Sequence, residues 1–444
     1  MKSSRRKFLQ SSAGLLIGAC SKPEKLGVDK ESQPRTPEPK RWEPEEMPDT
    51  SIFPHPIRIG DVSDTSAILT LQTTATVIDL QVMRAEEGEW VLDQLFEQIS
   101  LTQASLHLEI FNLRADCAYC VSAFSDGFRA QVTRFRTALS EGDSRIVVFG
   151  ATSCMGGNLP FPNLSRAAEQ DYDFFCFLGD TVYADNANTV EQHWDNWDFI
   201  LRQTGMIDVC SSTSLICTWD DHEVENNWSW QQPGIATKVQ MAYSAFIDAM
   251  PIRLGDFGFG LWRKLSWGRA VELFVLDCRG ERENGNYISL EQMAWLKTEL
   301  IASSARFKII LNSVAITDYE DLFAGNEAMD RWQGYPHQRQ ELLNCIEEND
   351  ISGVLFIAGD FHFGQINHVS RSGEVGDQLY EVLAGPSGSF INILGDLIVP
   401  TEQYLMSFGE WNHTRFTCHP SAGTILVEYI GDQGDVIESM RLYL

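Results

Sequence analysis

Three mostly apolar runs of this chain break off at a carboxylate. They are 174–178 before Gly179-Asp180, 215–219 before Asp220-Asp221-His222, and 354–358 before Gly359-Asp360-Phe361-His362. A strand with no polar alternation is one buried on both faces, as in a sheet covered by helices. Further strands are predicted at 146–150, 271–276 and 307–311, and helices at 163–170, 190–203, 237–250, 290–303 and 338–348. Ser289 with Gln292 three residues on predicts a capping box for the helix from Leu290. Strands alternating with helices predict an α/β core. The late stretches 380–383, 424–429 and 436–442 are expected as antiparallel additions.

Before this core the period changes. Residues 67–71, 78–82, 106–110 and 119–121 alternate apolar and polar over short lengths. That pattern predicts a small antiparallel sandwich, and no cluster of titratable residues falls within it. The expected organisation is a targeting segment at 1–20, a disordered tether at 21–56, a β-sandwich domain at 57–138 and a catalytic domain at 139–444.

The amino terminus carries its own chemistry. Ser4-Arg5-Arg6-Lys7-Phe8-Leu9-Gln10 matches a twin-arginine export signal, and a short apolar stretch follows from Ala13 to Ala19. That stretch is too short to cross a bilayer as a helix. Ile17-Gly18-Ala19-Cys20 resembles a lipobox, which makes Cys20 the expected lipid anchor and the twin-arginine machinery an expected partner. The composition of 21–56, rich in Pro, Glu and Lys, reads as a tether between anchor and enzyme. The chain is therefore expected in the periplasm or on the cell surface.

A formal net charge of −28 argues against a nucleic-acid-binding face or broad binding to anionic membranes. Of the ten cysteines, Cys176, Cys217, Cys278 and Cys345 lie in apolar patterns where a thiol acts as a small hydrophobe. Cys117 and Cys120 form a lone C-x-x-C on a strand pattern, which suits neither a zinc ribbon nor a mutual disulfide.

Ligands of an α/β sheet gather outside the carboxyl ends of its strands. Four such ends here supply Thr152-Ser153-Cys154; Asp180 with Tyr183 three residues on; Asp220, Asp221 and His222 with Glu223, Asn226 and Asn227 behind; and Asp360 with His362. Carboxylates massed at one rim repel one another unless a cation lies between them. The pattern predicts a multinuclear metal site.

Gly179-Asp180-Thr181-Val182-Tyr183, Trp219-Asp220-Asp221-His222-Glu223-Val224-Glu225-Asn226-Asn227 and Gly359-Asp360-Phe361-His362 resemble the signature blocks of the alkaline phosphatase D family. Leu276-Asp277-Cys278-Arg279 and Arg331-Trp332-Gln333-Gly334-Tyr335-Pro336 are similar to its secondary blocks. Thr181 and Met155 depart from that pattern, where the family often has an aromatic residue and Gln. The resemblance implies a calcineurin-like α/β/β/α metallophosphatase sandwich behind a fibronectin- or immunoglobulin-like β domain. It also implies iron and calcium as cofactors and small phosphate monoesters and diesters as substrates.

On that resemblance the expected metal ligands are Cys154, Asp180, Tyr183, Asp221, Asn227, Asp360 and His362, with Asp180 bridging. Thiolate and phenolate beside carboxylate suit a high-valent iron, and carboxylate with amide oxygen suits calcium. Asn226 competes with Asn227 for its place, while Glu223 and Glu225 are expected as solvated or supporting groups. His222, in an acidic stretch, is the expected proton donor to the leaving oxygen, and Arg279 or Arg282 the phosphate-steadying cation. The metals would polarise the phosphoryl oxygens and acidify the attacking water. Two rival readings stand beside this one: diester cleavage, as of phospholipid head groups, or a surface lipoprotein that keeps the scaffold without catalysis.

Overall fold

The computed structural model describes residues 38–40, 42–282, 285–319 and 329–444. The export signal, Cys20 and the first part of the expected tether lie outside the described residues. The last part of that tether does not behave as one. Met47–Pro48 pairs with Phe128–Arg129, and Phe53 and His55 are buried. The apolar Phe53 and Ile57, spaced among prolines, suffice to pin this stretch to the sandwich.

Two sheets pack face to face to form the core of the larger domain. One is nine-stranded, in the order Val436–Tyr443, Thr424–Gly431, Asn412–His419, Val147–Thr152, Phe174–Leu178, Leu215–Thr218, Arg58–Gly60, Ser66–Gln72, Ser105–Phe111. The other runs Arg263–Trp267, Val271–Val275, Phe307–Leu311, Val354–Ala358, Tyr380–Leu383, Gly364–His368, Tyr404–Phe408. Phe174, Cys176 and Leu178 point between the sheets with Leu273, Val275, Ile309, Leu355 and Ile357. Phe175 and Phe177 point outward under the helices Pro162–Ala168, Val190–Leu201, Thr204–Ser212 and Ile235–Ala249. The helices Leu290–Ala302 and Pro336–Glu348 cover the second sheet in the same way. Strands buried on both faces thus produce an α/β/β/α sandwich.

The expected elements are displaced by a residue or two, with three differences of substance. Tyr380–Leu383 pairs parallel with Val354–Ala358, so it extends the parallel part of the sheet and is not an antiparallel addition. The helix expected over 190–203 ends at Leu201, and beyond an extended Gln203 a further helix, Thr204–Ser212, follows that was not expected. Ser289 does cap its helix, accepting from Gln292 N at 3.1 Å. Gln292, however, does not complete a capping box: its amide accepts from Asp277 N at 3.0 Å and donates to Asp277 O at 3.1 Å. It ties the helix to the strand end, a stronger use for a buried amide than one exposed N–H.

The N-terminal sandwich has a core of its own, with Ile59, Leu69 and Leu71 facing Leu80, Val82 and Val121. It is nevertheless sewn into the nine-stranded sheet. Gly60 pairs parallel with Leu215, and Asp61 N donates to Leu215 O at 3.1 Å. The buried carboxylate of Asp61 takes two bonds from Arg263, at 2.6 and 2.7 Å.

Candidate metal centre

Four strands end at one edge of the sandwich: Val147–Thr152, Phe174–Leu178 and Leu215–Thr218 from one sheet, Val354–Ala358 from the other. Asp180 follows the central strand of the first three. Two glycines let the strand ends close this tightly. A Cβ on Gly179, whose φ is +100°, would stand 2.4 Å from the Asp220 Cβ, and one on Gly359 would stand 2.5 Å from the Ser153 Cβ. The Gly-Asp pairs in the sequence are there because the residue before each aspartate must have no side chain.

The aspartates themselves sit on turned backbone. Cys154, Asp180, Asn227, Asp360 and His362 have φ of 55°, 53°, 51°, 69° and 59°. Non-glycine residues in the left-handed region cost roughly 1–3 kcal/mol each and persist where the surroundings over-determine them. Much of that support comes from Glu223. Its buried carboxylate accepts from Thr181 N at 2.7 Å, Asp220 N at 2.9 Å and Asp180 N at 3.1 Å. Of the two roles expected for Glu223, the supporting one matches this position, since the side chain is not solvated.

The ligand-bearing atoms form three overlapping groups within 4.8 Å: Cys154, Asp180 and His362; Asp180, Asp221 and His222; Asp220, Asp221 and Asp360. Asp180 joins the first two and Asp221 the last two. Tyr183 closes the first group, its OH 3.3 Å from His362 Nε2 and donating to Ser389 Oγ at 2.9 Å. One terminal atom of the Asn227 amide lies 2.9 Å from Asp330 Oδ2 and 3.2 Å from Asp221 Oδ2. Asn226 turns its backbone N–H to Asp185.

Electrostatically this cluster asks for cations. Burial, then the charges of Asp221, Asp220, Glu223 and Asp360, pushes the Asp180 carboxyl well above its usual range. Asp220 is raised chiefly by burial, and Asp360 is raised by burial to about 6 despite Arg331 and Arg279. Asp220 Oδ2 and Asp221 Oδ1 are buried with no hydrogen-bond donor. Burial also pushes His362 down to about 4, and its Nδ1 faces the Phe390 carbonyl at 3.0 Å, which leaves a neutral Nε2 as donor. Sulfur, phenol, imidazole and carboxylate at one end fit a transition metal; three carboxylates at the other fit a hard dication.

His222 is held by Asp185, Nδ1 to Oδ1 at 2.8 Å. Burial lowers its pKa, but Asp185 and the charge of Asp221 outweigh that and hold it above the ordinary histidine value. Assigned to proton transfer from the sequence, it also lies within ligand reach of Asp180 and Asp221.

The phosphate-steadying role expected of Arg279 or Arg282 does not survive. Arg279 is fully enclosed, bonded through Nε to Asp220 and through both terminal nitrogens to Asp330. Arg282 is buried on Asp330 and the Trp228 carbonyl. Both neutralise carboxylates below the site. Sequence reasoning passed over Asp330, Asp185 and Ser389, which lie in loops without periodicity; only the block beginning at Arg331 pointed near the first.

Above the cluster opens a cavity of about 630 Å³, lined by Asp180, Tyr183, Asp221, His222, Asp360 and His362 among others. A two-sheet sandwich with acids, imidazoles and a thiol converging at the strand ends defines a metallophosphatase-type scaffold. Among solved structures, it superposes on one described as the structure of PhoD with a TM-score of 0.76, at 18% identity over 90% of both chains. A purple acid phosphatase from yellow lupin (Lupinus luteus) seeds matches with a TM-score of 0.63, at 13% identity, covering 88% of this chain and 74% of that one.

Residues 195–397 match the family model described as PhoD-like phosphatase. Alkaline phosphatase D of Bacillus subtilis (strain 168) is 28% identical over 178 residues, 33% of this chain; the aligned part spans 30% of that protein's length. Cys154, Asp180 and Tyr183 lie upstream of the family match.

Proposed function

We propose that this chain is a metal-dependent phosphohydrolase that cleaves phosphate monoesters, diesters or both. The observation that carries the reading is the chain of three ligand groups linked through Asp180 and Asp221 on the floor of an open cavity. Cys154, Asp180, Tyr183 and His362 would hold iron, and Asp221, Asn227 and Asp360 calcium, with Asp180 shared. When bound, such ions polarise phosphoryl oxygens and make a water acidic enough to attack at neutral pH.

The protein's own groups do the rest. Asp185 fixes the His222 ring so that Nε2 is the atom available to deliver a proton to the departing oxygen. Glu223 and the two glycines keep the acids in register through the cycle. Phe361 and Phe390 give the cavity apolar lining, the Phe390 ring lying 4.2 Å from that of His362. The Arg5-Arg6 signal and Cys20 support export by the twin-arginine route and a lipid anchor outside the cytoplasm, with small phosphate esters met there.

The test is hydrolysis of a nitrophenyl monoester and its diester by the purified protein, with and without chelator, alongside quantified metals. Asp180→Asn should abolish turnover and lower metal content while the far-UV circular dichroism stays native. Undiminished turnover in that variant would remove the shared-ligand role, and full activity after exhaustive chelation would remove the metal.

A further inference from the structure

The aim of the His222 ring depends on where Asp185 is held. Asp185 Oδ1 faces His222 Nδ1 at 2.8 Å and accepts from Asn226 N at 2.7 Å. Asp185 itself lies in a turn, outside any strand or helix. Its neighbourhood is tied down from two directions. Ala184 N donates to His222 O at 2.8 Å, and Lys238 Nζ donates to the Asp185 carbonyl at 2.5 Å. Lys238 Nζ also donates to Glu225 Oε2 at 2.6 Å, one residue before Asn226. One ammonium thus joins the loop after Phe174–Leu178 to the loop after Leu215–Thr218, which between them carry Asp180, Tyr183, Asp221, His222 and Asn227. Its base is firm: in the helix Ile235–Ala249, Ile235, Val239, Ala242 and Phe246 are buried with Phe175 and Phe177 in the outer core. The Lys238 side chain is only 12% exposed. Near a helix N-terminus the dipole disfavours a cation, so the helix alone gives no reason for a lysine there.

We propose that Lys238 is a positioning residue for proton delivery: it holds Asp185 in place, and through Asp185 the His222 ring at the cavity. The proposal rests on the phosphohydrolase reading above. As the ester P–O bond breaks, its electron pair passes to the departing oxygen, which takes the proton from His222 Nε2. That transfer needs the ring within hydrogen-bond reach and correctly turned. The Tyr183 ring lies against one face of the imidazole, centroids 4.2 Å apart, and Asp185 sets its rotation. Without the ammonium the Asp185 carbonyl and the Glu225 carboxylate lose a shared donor, and the two loops lose their link.

The experiment compares wild type, Lys238→Met and Lys238→Arg, each with and without His222→Gln and each loaded with metal. It reads KM and kcat for phenyl phosphate, whose leaving oxygen needs a proton, and dinitrophenyl phosphate, whose oxygen departs without one. Metal content and melting temperature are measured alongside. Methionine keeps the apolar stem of lysine and removes both bonds. Lys238→Met should lower kcat on the phenyl ester about tenfold, with KM, metal content and the dinitrophenyl rate within about twofold of wild type. Lys238→Arg, which can still donate to both oxygens, should recover most of the loss. In the His222→Gln background the Lys238 substitutions should add nothing further. Equal losses on the two esters, a further loss in that background, or a phenyl-ester rate as in wild type would each overturn the proposal. A wild type inactive on both esters would instead refute the phosphohydrolase reading. NMR of histidine-labelled protein then decides the role of Lys238: the His222 Nδ1–H signal, identified by its loss in His222→Gln, should broaden by exchange with water in Lys238→Met, and an unchanged signal there would overturn it.

Discussion

Replacing Glu223 with Gln tests whether the acids are held in place from below. Glu223 Oε2 accepts from Asp220 N at 2.9 Å and Asp180 N at 3.1 Å, while Oε1 accepts from Thr181 N at 2.7 Å. A glutamine amide can keep its oxygen at only one of these positions. In the better orientation the Asp180 and Asp220 N–H groups retain an acceptor, but a neutral one, and the Thr181 N–H meets an NH2 group. A buried donor left unpaired costs about 1–3 kcal/mol, and exchanging a charged for a neutral acceptor costs about 1 kcal/mol per bond. The sum is about 3–5 kcal/mol, a large share of the ~5–15 kcal/mol that holds a typical domain. The assay is urea unfolding of the metal-free protein, where Glu223→Gln should lower the midpoint without changing the slope. Metal titration should show weaker binding as well, because Asp180 and Asp220 lose their common support. An unchanged midpoint together with unchanged metal affinity would refute the reasoning.

Gly179→Ala places a methyl 2.4 Å from the Asp220 Cβ on backbone with φ of +100°, so it should cost several kcal/mol and abolish metal binding; a stable, metal-replete variant would show that the strand ends can part. His413 is fully buried with Nε2 2.9 Å from the Tyr172 hydroxyl, and burial together with the charge of Arg415 pushes its pKa down to about 3. The unfolded chain takes up this proton below about pH 6.5 and the native state does not, so stability is complete above that pH and falls steadily as pH drops toward about 3. At about pH 5 the loss due to His413 is about 2 kcal/mol. His413→Gln should therefore lose about 2 kcal/mol less than wild type between about pH 7.5 and pH 5; equal losses in the two proteins would sink the assignment.

The sequence was most legible where burial left no choice. Runs such as Phe174–Leu178 can only be strands covered on both sides, and their carboxyl ends located the candidate ligands. What the runs could not say is which sheet each belongs to. Phe174–Leu178 and Val354–Ala358 have the same apolar pattern, yet they sit in facing sheets, so the acids converge across a gap rather than along one rim. Asn412–His419 escaped notice because its inward Phe416 and Cys418 alternate with His, Thr and Arg, as in a loop. Glu89–Ser100 is too exposed and too charged to announce itself, although it pairs along Val77–Glu86. Arg279 shows a different limit. Nothing local distinguishes an arginine that meets solvent from one enclosed by Asp220 and Asp330, because its partners lie 59 and 51 residues away.

The bridge between Gly60 and Leu215 changes what counts as a separable part of this molecule. Cut away the first eighty or so residues and Leu215 would lose its parallel partner Gly60 and the bond from Asp61 N, at the start of the strand that leads to Asp220 and Asp221. Arg263 would be stranded without its counter-ion in an apolar interior. The β-sandwich is thus no passive spacer ahead of an autonomous enzyme; it supplies the selvedge of the sheet on which the chemistry is mounted, and grafting the metal centre elsewhere means carrying that border along.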